Sequence, residues 1–217
     1  MSLSVSAPVP PDRVAMILVA AGRGARAGEG RPKQYRALGG RPLLARTLDA
    51  AAACPVGKII VVIHPDDVDL YTDAIEEASP AAREKLAAPV FGGATRQASV
   101  RAGVEALEGA FDIVLAHDAA RPFFTPALCA RVIEAAARVG GAVPGVPVTD
   151  TIKEIDGAGR VLTTPERARL RAVQTPQGFR LSALADAHAR AKAAGREDFT
   201  DDAAVVEWAG GQIEIVE

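Results

Sequence analysis

The chain of 217 residues contains no apolar run long enough to cross a bilayer; its longest stretches of Val, Ile and Leu have the length of a strand. It has only two cysteines, Cys54 and Cys129. Both fall in alanine-rich helical patterns, which gives neither a disulfide framework nor a metal site and predicts buried, reduced thiols. No run of Lys or Arg occurs, and 25 basic against 27 acidic residues leave a net charge of −2, so an electrostatic footprint for nucleic acid is missing. Residues 1–11 are rich in Ser, Pro and Val and lack the charged start and apolar stretch of a signal peptide. They predict a disordered lead-in. Together the absences point to a cytoplasmic globular protein that meets neither membrane nor nucleic acid.

What is present is an alternation of apolar runs and helical patterns. Strands are predicted at Val14–Ala20, Lys58–Ile63, Pro89–Phe91, Ile113–Ala116 and Ala142–Val148. Helices are predicted at Leu43–Cys54, Asp66–Ala78, Arg96–Leu107 and Pro126–Val139. Runs of Val, Ile and Leu without polar alternation suit strands covered on both faces, so the fold class is α/β, with a mostly parallel sheet in a three-layer Rossmann-like domain over residues 12–217. Such sheets take ligands at the carboxyl ends of their strands. After Val148 the pattern breaks. Thr151–Ile155, the turn Asp156-Gly157-Ala158-Gly159 and Arg160–Thr163 predict a protruding β-hairpin arm at about 149–167. A lone hairpin is barely stable in water, so a second subunit is its expected support. The α/β pattern resumes with a strand at Ala172–Phe179, helices at Leu181–Ala194 and Thr200–Ala209, and a strand at Gln212–Val216.

The first strand runs into Ala20-Ala21-Gly22-Arg23-Gly24-Ala25-Arg26-Ala27, with Pro32-Lys33-Gln34-Tyr35 soon after. Glycines let a backbone turn sharply and bring its N–H groups to an anion, and Arg26 and Lys33 add fixed cations. This is the pattern of a nucleoside triphosphate site. Gly22, Gly24 and Ala27 also meet the loose dinucleotide fingerprint, but the acidic residue expected at the end of the second strand is missing, since Asp66 comes late and after a Pro. No Gly-Lys-Ser/Thr follows to make a Walker-type loop.

Four other segments fall at strand ends. Phe91-Gly92-Gly93-Ala94-Thr95-Arg96-Gln97-Ala98-Ser99 offers backbone groups and the Ser99 hydroxyl to a flat base, while Thr95 suits a helix N-cap. His117-Asp118-Ala119-Ala120-Arg121-Pro122 places a carboxylate just past a buried strand, where it needs a ribose hydroxyl, a Mg²⁺ ion, a cation or a backbone donor. Arg121 is a phosphate-reading fork, and His117 reads as a packed structural residue. Thr151, Lys153 and Arg167 on the hairpin suit either a site or a solvated face, and Thr175 supplies a hydroxyl at a further strand end.

The glycine loop, Pro32-Lys33-Gln34-Tyr35, Gly92-Gly93-x-x-Arg96-x-x-Ser99, His117-Asp118-Ala119-Ala120-Arg121-Pro122, Asp150-Thr151-x-Lys153, Arg167-x-x-Leu170 and Thr175-Pro176-Gln177-x-Phe179 occur together and in order. From about Val14 onward the chain closely resembles the 2-C-methyl-D-erythritol 4-phosphate cytidylyltransferase family of the non-mevalonate isoprenoid pathway. It is less similar to the ribitol-5-phosphate cytidylyltransferases at Asp118-Ala119-Ala120-Arg121 and Thr175-Pro176-Gln177.

The resemblance implies transfer of CMP from CTP, as its Mg²⁺ complex, to 2-C-methyl-D-erythritol 4-phosphate, with release of pyrophosphate. It implies that Ala20, Ala21, Gly22, Gly24, Gly93, Arg96 and Ser99 line the nucleotide pocket and that Asp118 with Ala119 meets the ribose. Arg26 and Lys33 brace the triphosphate, and with Arg167 they form the catalytic set. Arg121, Thr151, Arg167 and Thr175 hold the acceptor phosphate, Thr151 and Arg167 reaching across a homodimer on the hairpin arm. No metal-ligating side chain is assigned. The residues alone also admit transfer to another polyol or sugar phosphate, and nucleotide binding without turnover. Two departures stand out. The family continues past the last strand with a segment carrying a further lysine for the acceptor, whereas this sequence stops at Glu217, which leaves open a shortened sequence, a weakened acceptor side or a fused second enzyme. Ala94 stands where some members carry Asp.

Overall fold

The computed structural model describes residues 8–23, 30–107 and 111–217. A 3-10 turn at Pro11–Arg13 leads into β1 (Val14–Ala20). A second such turn, Lys33–Tyr35, precedes a small ribbon of β2 (Ala37–Leu38) and β3 (Arg41–Pro42), then α1 (Leu43–Ala52) and β4 (Lys58–Ile63). There follow α2 (Val68–Glu76), α3 (Pro80–Lys85), β5 (Val90–Phe91), α4 (Arg96–Glu105), β6 (Ile113–Asp118), α5 (Pro126–Val139) and β7 (Gly141–Pro147). The chain continues with β8 (Glu154–Ile155), β9 (Val161–Thr163), β10 (Arg171–Val173), β11 (Gln177–Arg180), α6 (Leu181–Ala193), α7 (Asp202–Trp208) and β12 (Ile213–Val216). No helix among the described residues is long and apolar enough to cross a membrane.

Eight strands form one sheet in the order β10-β7-β11-β6-β1-β4-β5, with β12 beside β7. β1 pairs in parallel with β4 on one side and β6 on the other, so that Leu18 lies between Val61 and His117. β5 extends the parallel run from β4, and β12 is parallel to β7. Only β10 and β11 run against the rest, β11 being antiparallel to both β6 and β7.

Alternation along the central strands divides the core into two layers. Met16, Leu18, Ile59, Val61 and Ile63 face one way and meet Leu44 and Leu48 of α1, Tyr71 of α2, Ala82 of α3 and Val132 of α5. Ala15, Ile17, Ile60 and Val62 face the other way, onto Val100 and Val104 of α4, Leu184 of α6 and Val205 of α7. Burial on both faces is why these strands read as unbroken apolar runs. Each fully buried Val, Leu or Ile contributes about 1.5–3 kcal/mol. Side-chain caps start four of the helices: Ser79, Thr95, Thr125 and Asp201 accept from Ala82, Ala98, Leu128 and Ala204 N–H respectively.

The single strand predicted at Ala172–Phe179 is two strands. Pro176, which follows a cis peptide bond, has no N–H to give a ladder and sits at the break. Short α3 and the β2–β3 ribbon were not foreseen. Of the expected lead-in, residues 1–7 lie outside the described residues, while Val9 packs against the core beside the turn at Pro11–Arg13. The two thiols are free and buried, and Cys54 Sγ lies 2.9 Å from Cys129 Sγ. Within the span predicted for the hairpin arm, β8 and β9 pair antiparallel with each other and, among the described residues, with no other strand. Its turn is closed by Asp156 Oδ1, which accepts from Ala158 and Arg160 N–H at 2.9 Å, and Gly159 supplies the left-handed φ of 78°. Its apolar Ile155, Val161 and Leu162 are exposed.

Two histidines lie in the core. His117 of β6 donates Nε2–H to the Arg121 carbonyl at 2.9 Å and packs on Phe124, with ring centroids 4.2 Å apart. His188 of α6 is buried with neither ring nitrogen hydrogen-bonded. Loss of hydration pushes both down to about 4, against about 6.5 in an unfolded chain.

Two outcomes are expected. Phe179, fully buried on β11, should lose about 3–5 kcal/mol on replacement by Ala, read from urea unfolding at unchanged slope. Because the unfolded chain binds the histidine protons first, stability is complete above about pH 6.5 and falls as pH drops toward 4, by up to about 1.4 kcal/mol per pH unit for each histidine. His188→Met removes no hydrogen bond and should flatten that fall by as much as one proton; an unchanged profile would show that His188 does not titrate on unfolding.

Candidate active site

At the carboxyl ends of β1, β4, β5 and β6 lies a cleft of about 650 Å³. It is lined by Ala21, Gly22 and Arg23 after β1, by Lys33 and Gln34, by His64 after β4, by Gly93 to Arg96 and Ser99, and by Asp118, Ala120 and Arg121 after β6. This is where a parallel sheet opens between its loops, so the position follows from the topology.

The wall between β5 and α4 depends on two glycines. A Cβ on Gly92 would stand 2.5 Å from Ala21 Cβ and 2.7 Å from Ser99 Oγ, and one on Gly93 would stand 2.6 Å from Ala98 Cβ. Backbone therefore approaches the β1 loop as no side chain would allow. Thr95 is the N-cap of α4. Ser99 donates its hydroxyl to the Thr95 carbonyl at 2.9 Å, which leaves its lone pairs for a ligand donor.

Charge is unevenly committed around the cleft. Lys33 is exposed and pairs with no carboxylate among the described residues. Its neighbours hold it in place: Gln34 is buried and donates Nε2–H to the carbonyls of Ala20 and Gly22, and Tyr35 is buried in the core. Arg23 is tied to the end of β4, 2.7 Å from Asp66 and 2.9 Å from Asp67. Arg96 lies between Asp118, at 3.3 Å, and the buried Asp202, at 2.8 Å. Arg121 Nε reaches the second oxygen of Asp118 at 2.9 Å, and its Nη1 donates to Gln174 at 2.6 Å.

A second cavity of about 480 Å³ adjoins the first and shares Ala120 and Arg121 with it. It is lined further by His117, Phe123, Val146, Gln174 and Thr175, and the Thr175 hydroxyl is buried without a partner. The arrangement offers adjoining compartments for two ligands, with a guanidinium between them. Arg, Lys and backbone donors dominate the first cleft, which suits an anionic ligand, while the second is mostly apolar and offers Arg121 to one anionic group, with Glu217 also on its wall.

The structure thus gathers Ala21, Gly22, Lys33, Gly93, Arg96, Ser99, Asp118 and Arg121 around one cleft and places Thr175 next door. Ala20 and Ala119 lie beneath it, buried, and the Ala119 N–H and carbonyl are bonded to the Val19 carbonyl and the Thr47 hydroxyl. Thr151 and Arg167 are exposed and line neither cavity, Arg167 donating to the Thr149 carbonyl at 2.8 Å. Gly24 and Arg26 lie outside the described residues. Sequence reasoning gave no role to Gln34, Gln177 or Asp202. The first two stood inside quoted motifs and so carried a signal; Asp202 opens a helix like any first-turn acid and carried none.

A model of the family IspD, 2-C-methyl-D-erythritol 4-phosphate cytidylyltransferase, matches residues 14–217. A bifunctional IspD/IspF enzyme of Nitrobacter winogradskyi is 54% identical over 200 residues, which cover 91% of this chain and 49% of that one. The chain spans about half the length of the curated relatives it matches. Among solved structures, the 2-C-methyl-D-erythritol 4-phosphate cytidylyltransferase of Thermus thermophilus is 37% identical, with TM-score 0.70, covering 93% of this chain and 87% of that one. The 4-diphosphocytidyl-2C-methyl-D-erythritol synthase of Anaerococcus prevotii is 28% identical, with TM-score 0.80, covering 95% and 89%. With a family match from β1 to its last residue and a fold shared with those solved structures, the chain belongs to the IspD family of 2-C-methyl-D-erythritol 4-phosphate cytidylyltransferases.

Proposed function

We propose that this chain transfers CMP from CTP to 2-C-methyl-D-erythritol 4-phosphate, in the cytoplasm, giving the 4-diphosphocytidyl product and pyrophosphate. The observation that carries the reading is the pair of adjoining cavities with Arg121 shared between them, in a member of this family. The larger takes the nucleotide, with the base against the Gly92-Gly93 wall and Ser99 and the ribose toward Asp118. The smaller takes the acceptor, whose phosphate meets Arg121 and Thr175.

A phosphate oxygen of the acceptor attacks the α-phosphorus of CTP. The new P–O bond forms as the bond to the β-phosphate oxygen breaks, and pyrophosphate leaves with that electron pair. A phosphate monoester is largely a dianion at pH 7, its second pKa being about 6, so the nucleophile needs no general base. The barrier is repulsion between anions, which positioned cations lower. Lys33, uncommitted and fixed by its Gln34 and Tyr35 neighbours, meets the triphosphate; Arg121 orients the incoming phosphate. Arg26 completes the set as the resemblance implies.

The donor set suits a Mg²⁺ ion carried by the phosphates rather than caged by protein. Among the described residues no group of three metal-ligating side chains occurs, and Asp118 is the cleft's one carboxylate, already shared by Arg96 and Arg121. Bound this way, the ion supplies positive charge to the departing pyrophosphate.

The hairpin belongs, in this reading, to a homodimer. Ile155, Val161 and Leu162 are each more than half exposed, and an isolated two-stranded hairpin is marginal in water. Thr151 and Arg167 line neither of the two cavities, which suits delivery to a partner's acceptor site.

Pyrophosphate release from CTP, assayed over a panel of polyol phosphates, should occur with 2-C-methyl-D-erythritol 4-phosphate. Release with ribitol 5-phosphate instead, or CTP binding without release, would overturn the reading. Lys33→Ala should lower kcat by about 10²–10³ at unchanged melting temperature, as loss of a preorganised charge does. For the dimer, inactive Lys33→Ala and Arg167→Ala proteins should recover part of the activity when mixed, because one site of each mixed dimer keeps both residues. No recovery after subunit exchange would place Arg167 at its own chain's site or at none.

A further inference from the structure

The most heavily bonded segment behind the nucleotide cleft is Glu197 to Asp202, which crosses the outer side of the first turn of α4. Glu197 accepts from Thr95 Oγ1 at 3.1 Å and Arg101 Nη2 at 2.8 Å. Gln97 donates to the Arg196 carbonyl at 2.9 Å. Asp202, fully buried at the start of α7, lies 2.8 Å from Arg96 Nη1. The Asp202 carboxylate has no other cation nearby that is always charged: His188 Nε2 stands 3.9 Å away, in a site that disfavours its protonation. Its own backbone N–H donates to Gln177 Oε1 at 3.1 Å, and Gln177 Nε2 donates to Asp201 at 2.9 Å.

These contacts make an alternating chain of charge from the core to the cleft: Asp202, Arg96, Asp118, Arg121. A buried ion pair is weak evidence of stability, because taking two charges out of water offsets most of their attraction. Burial here pushes the Asp202 carboxyl up against the pull of Arg96, so the pair is held at a cost. The pair does fix direction. Without Asp202 the Arg96 guanidinium has Asp118 as its one carboxylate, and it would swing onto the group that faces the ribose.

We propose that Asp202 is a positioning residue for the nucleotide: it acts through Arg96, taking Nη1 of that guanidinium at the floor of the cleft so that Arg96 meets Asp118 through Nε alone, at 3.3 Å. The inference rests on the cytidylyl-transfer reading above. It concerns the nucleotide side alone, since Asp202 touches nothing in the acceptor cavity.

The test compares wild type, Asp202→Asn, Arg96→Met and the Arg96→Met/Asp202→Asn double variant, each with its melting temperature. Asp202→Asn should raise the KM for CTP about tenfold, within the range for a residue that acts on a site through another, with kcat and the acceptor KM nearly unchanged. In the Arg96→Met background the same substitution should change the CTP KM no further. A wild-type CTP KM in Asp202→Asn overturns the proposal, as does a further rise in the double variant. If Asp202→Asn alone leaves the Arg96 charge uncompensated and fails to fold, the double variant, in which both charges are gone, is compared with Arg96→Met, and a higher CTP KM in the double variant still overturns the proposal. Wild-type protein that releases no pyrophosphate would sink the transfer reading instead; calorimetric affinity for CTP across the four proteins would then test Asp202 separately.

Discussion

The parallel pairing of β1 between β4 and β6 is the constraint on which the remaining structure depends. It aligns three carboxyl ends on one edge, and β5 adds a fourth. Each end then releases a loop into the same space: Ala21 to Arg23, His64, Gly92 to Thr95, and Asp118 to Arg121. Because both faces of these strands are covered by helices, the strands are apolar up to their carboxyl ends, where β6 closes on His117 and Asp118. Polar chemistry gathers at those ends and in the loops after them, where backbone donors and long cationic side chains meet without disturbing the core.

The antiparallel strand β11 extends that logic to a second compartment. Inserted between β6 and β7, it brings Gln177 under the cleft, and the segment before it brings Gln174 and Thr175 into the adjoining cavity. Gly178 permits the insertion: a Cβ there would stand 2.6 Å from Val132 Cγ1 of α5. One strand reversal thus places two adjoining compartments on either side of Arg121.

How much of this is legible in the sequence depends on the range over which each feature is encoded. The central strands are written locally, as period-free apolar runs, and β1, β4 and β6 lie where those runs predict. The hairpin is legible from its Asp-Gly-x-Gly turn. The division of Ala172–Phe179 into two strands is not, because Pro176 alone marks the break locally and the ladder partners that define the two strands lie far away in sequence. Among site residues, Lys33, Asp118 and Arg121 declare themselves as charges at strand ends. Gln34 and Asp202 do not, since each acts through a contact whose partner is 12 to 106 positions away, and neither touches the ligand space in a way a motif records.

Asp118 shows why those silent residues matter. Its two oxygens face Arg96 and Arg121, so a single carboxylate stands between two guanidiniums of the cleft. That carboxylate is not what holds them by itself. Two other groups divide the load. Asp202 takes one side of Arg96 from within the core, and Gln174, a neutral acceptor, takes Nη1 of Arg121 at 2.6 Å. Each arginine is therefore held in direction by more than the one acid it shares, while the net positive charge of the cleft is kept. A neutral partner at Gln174 and a carboxylate at Asp202 also differ in consequence. The exposed Arg121 keeps its charge at the boundary of the two cavities, whereas Arg96, largely buried, has its charge balanced from below and forms a fixed wall of the cleft.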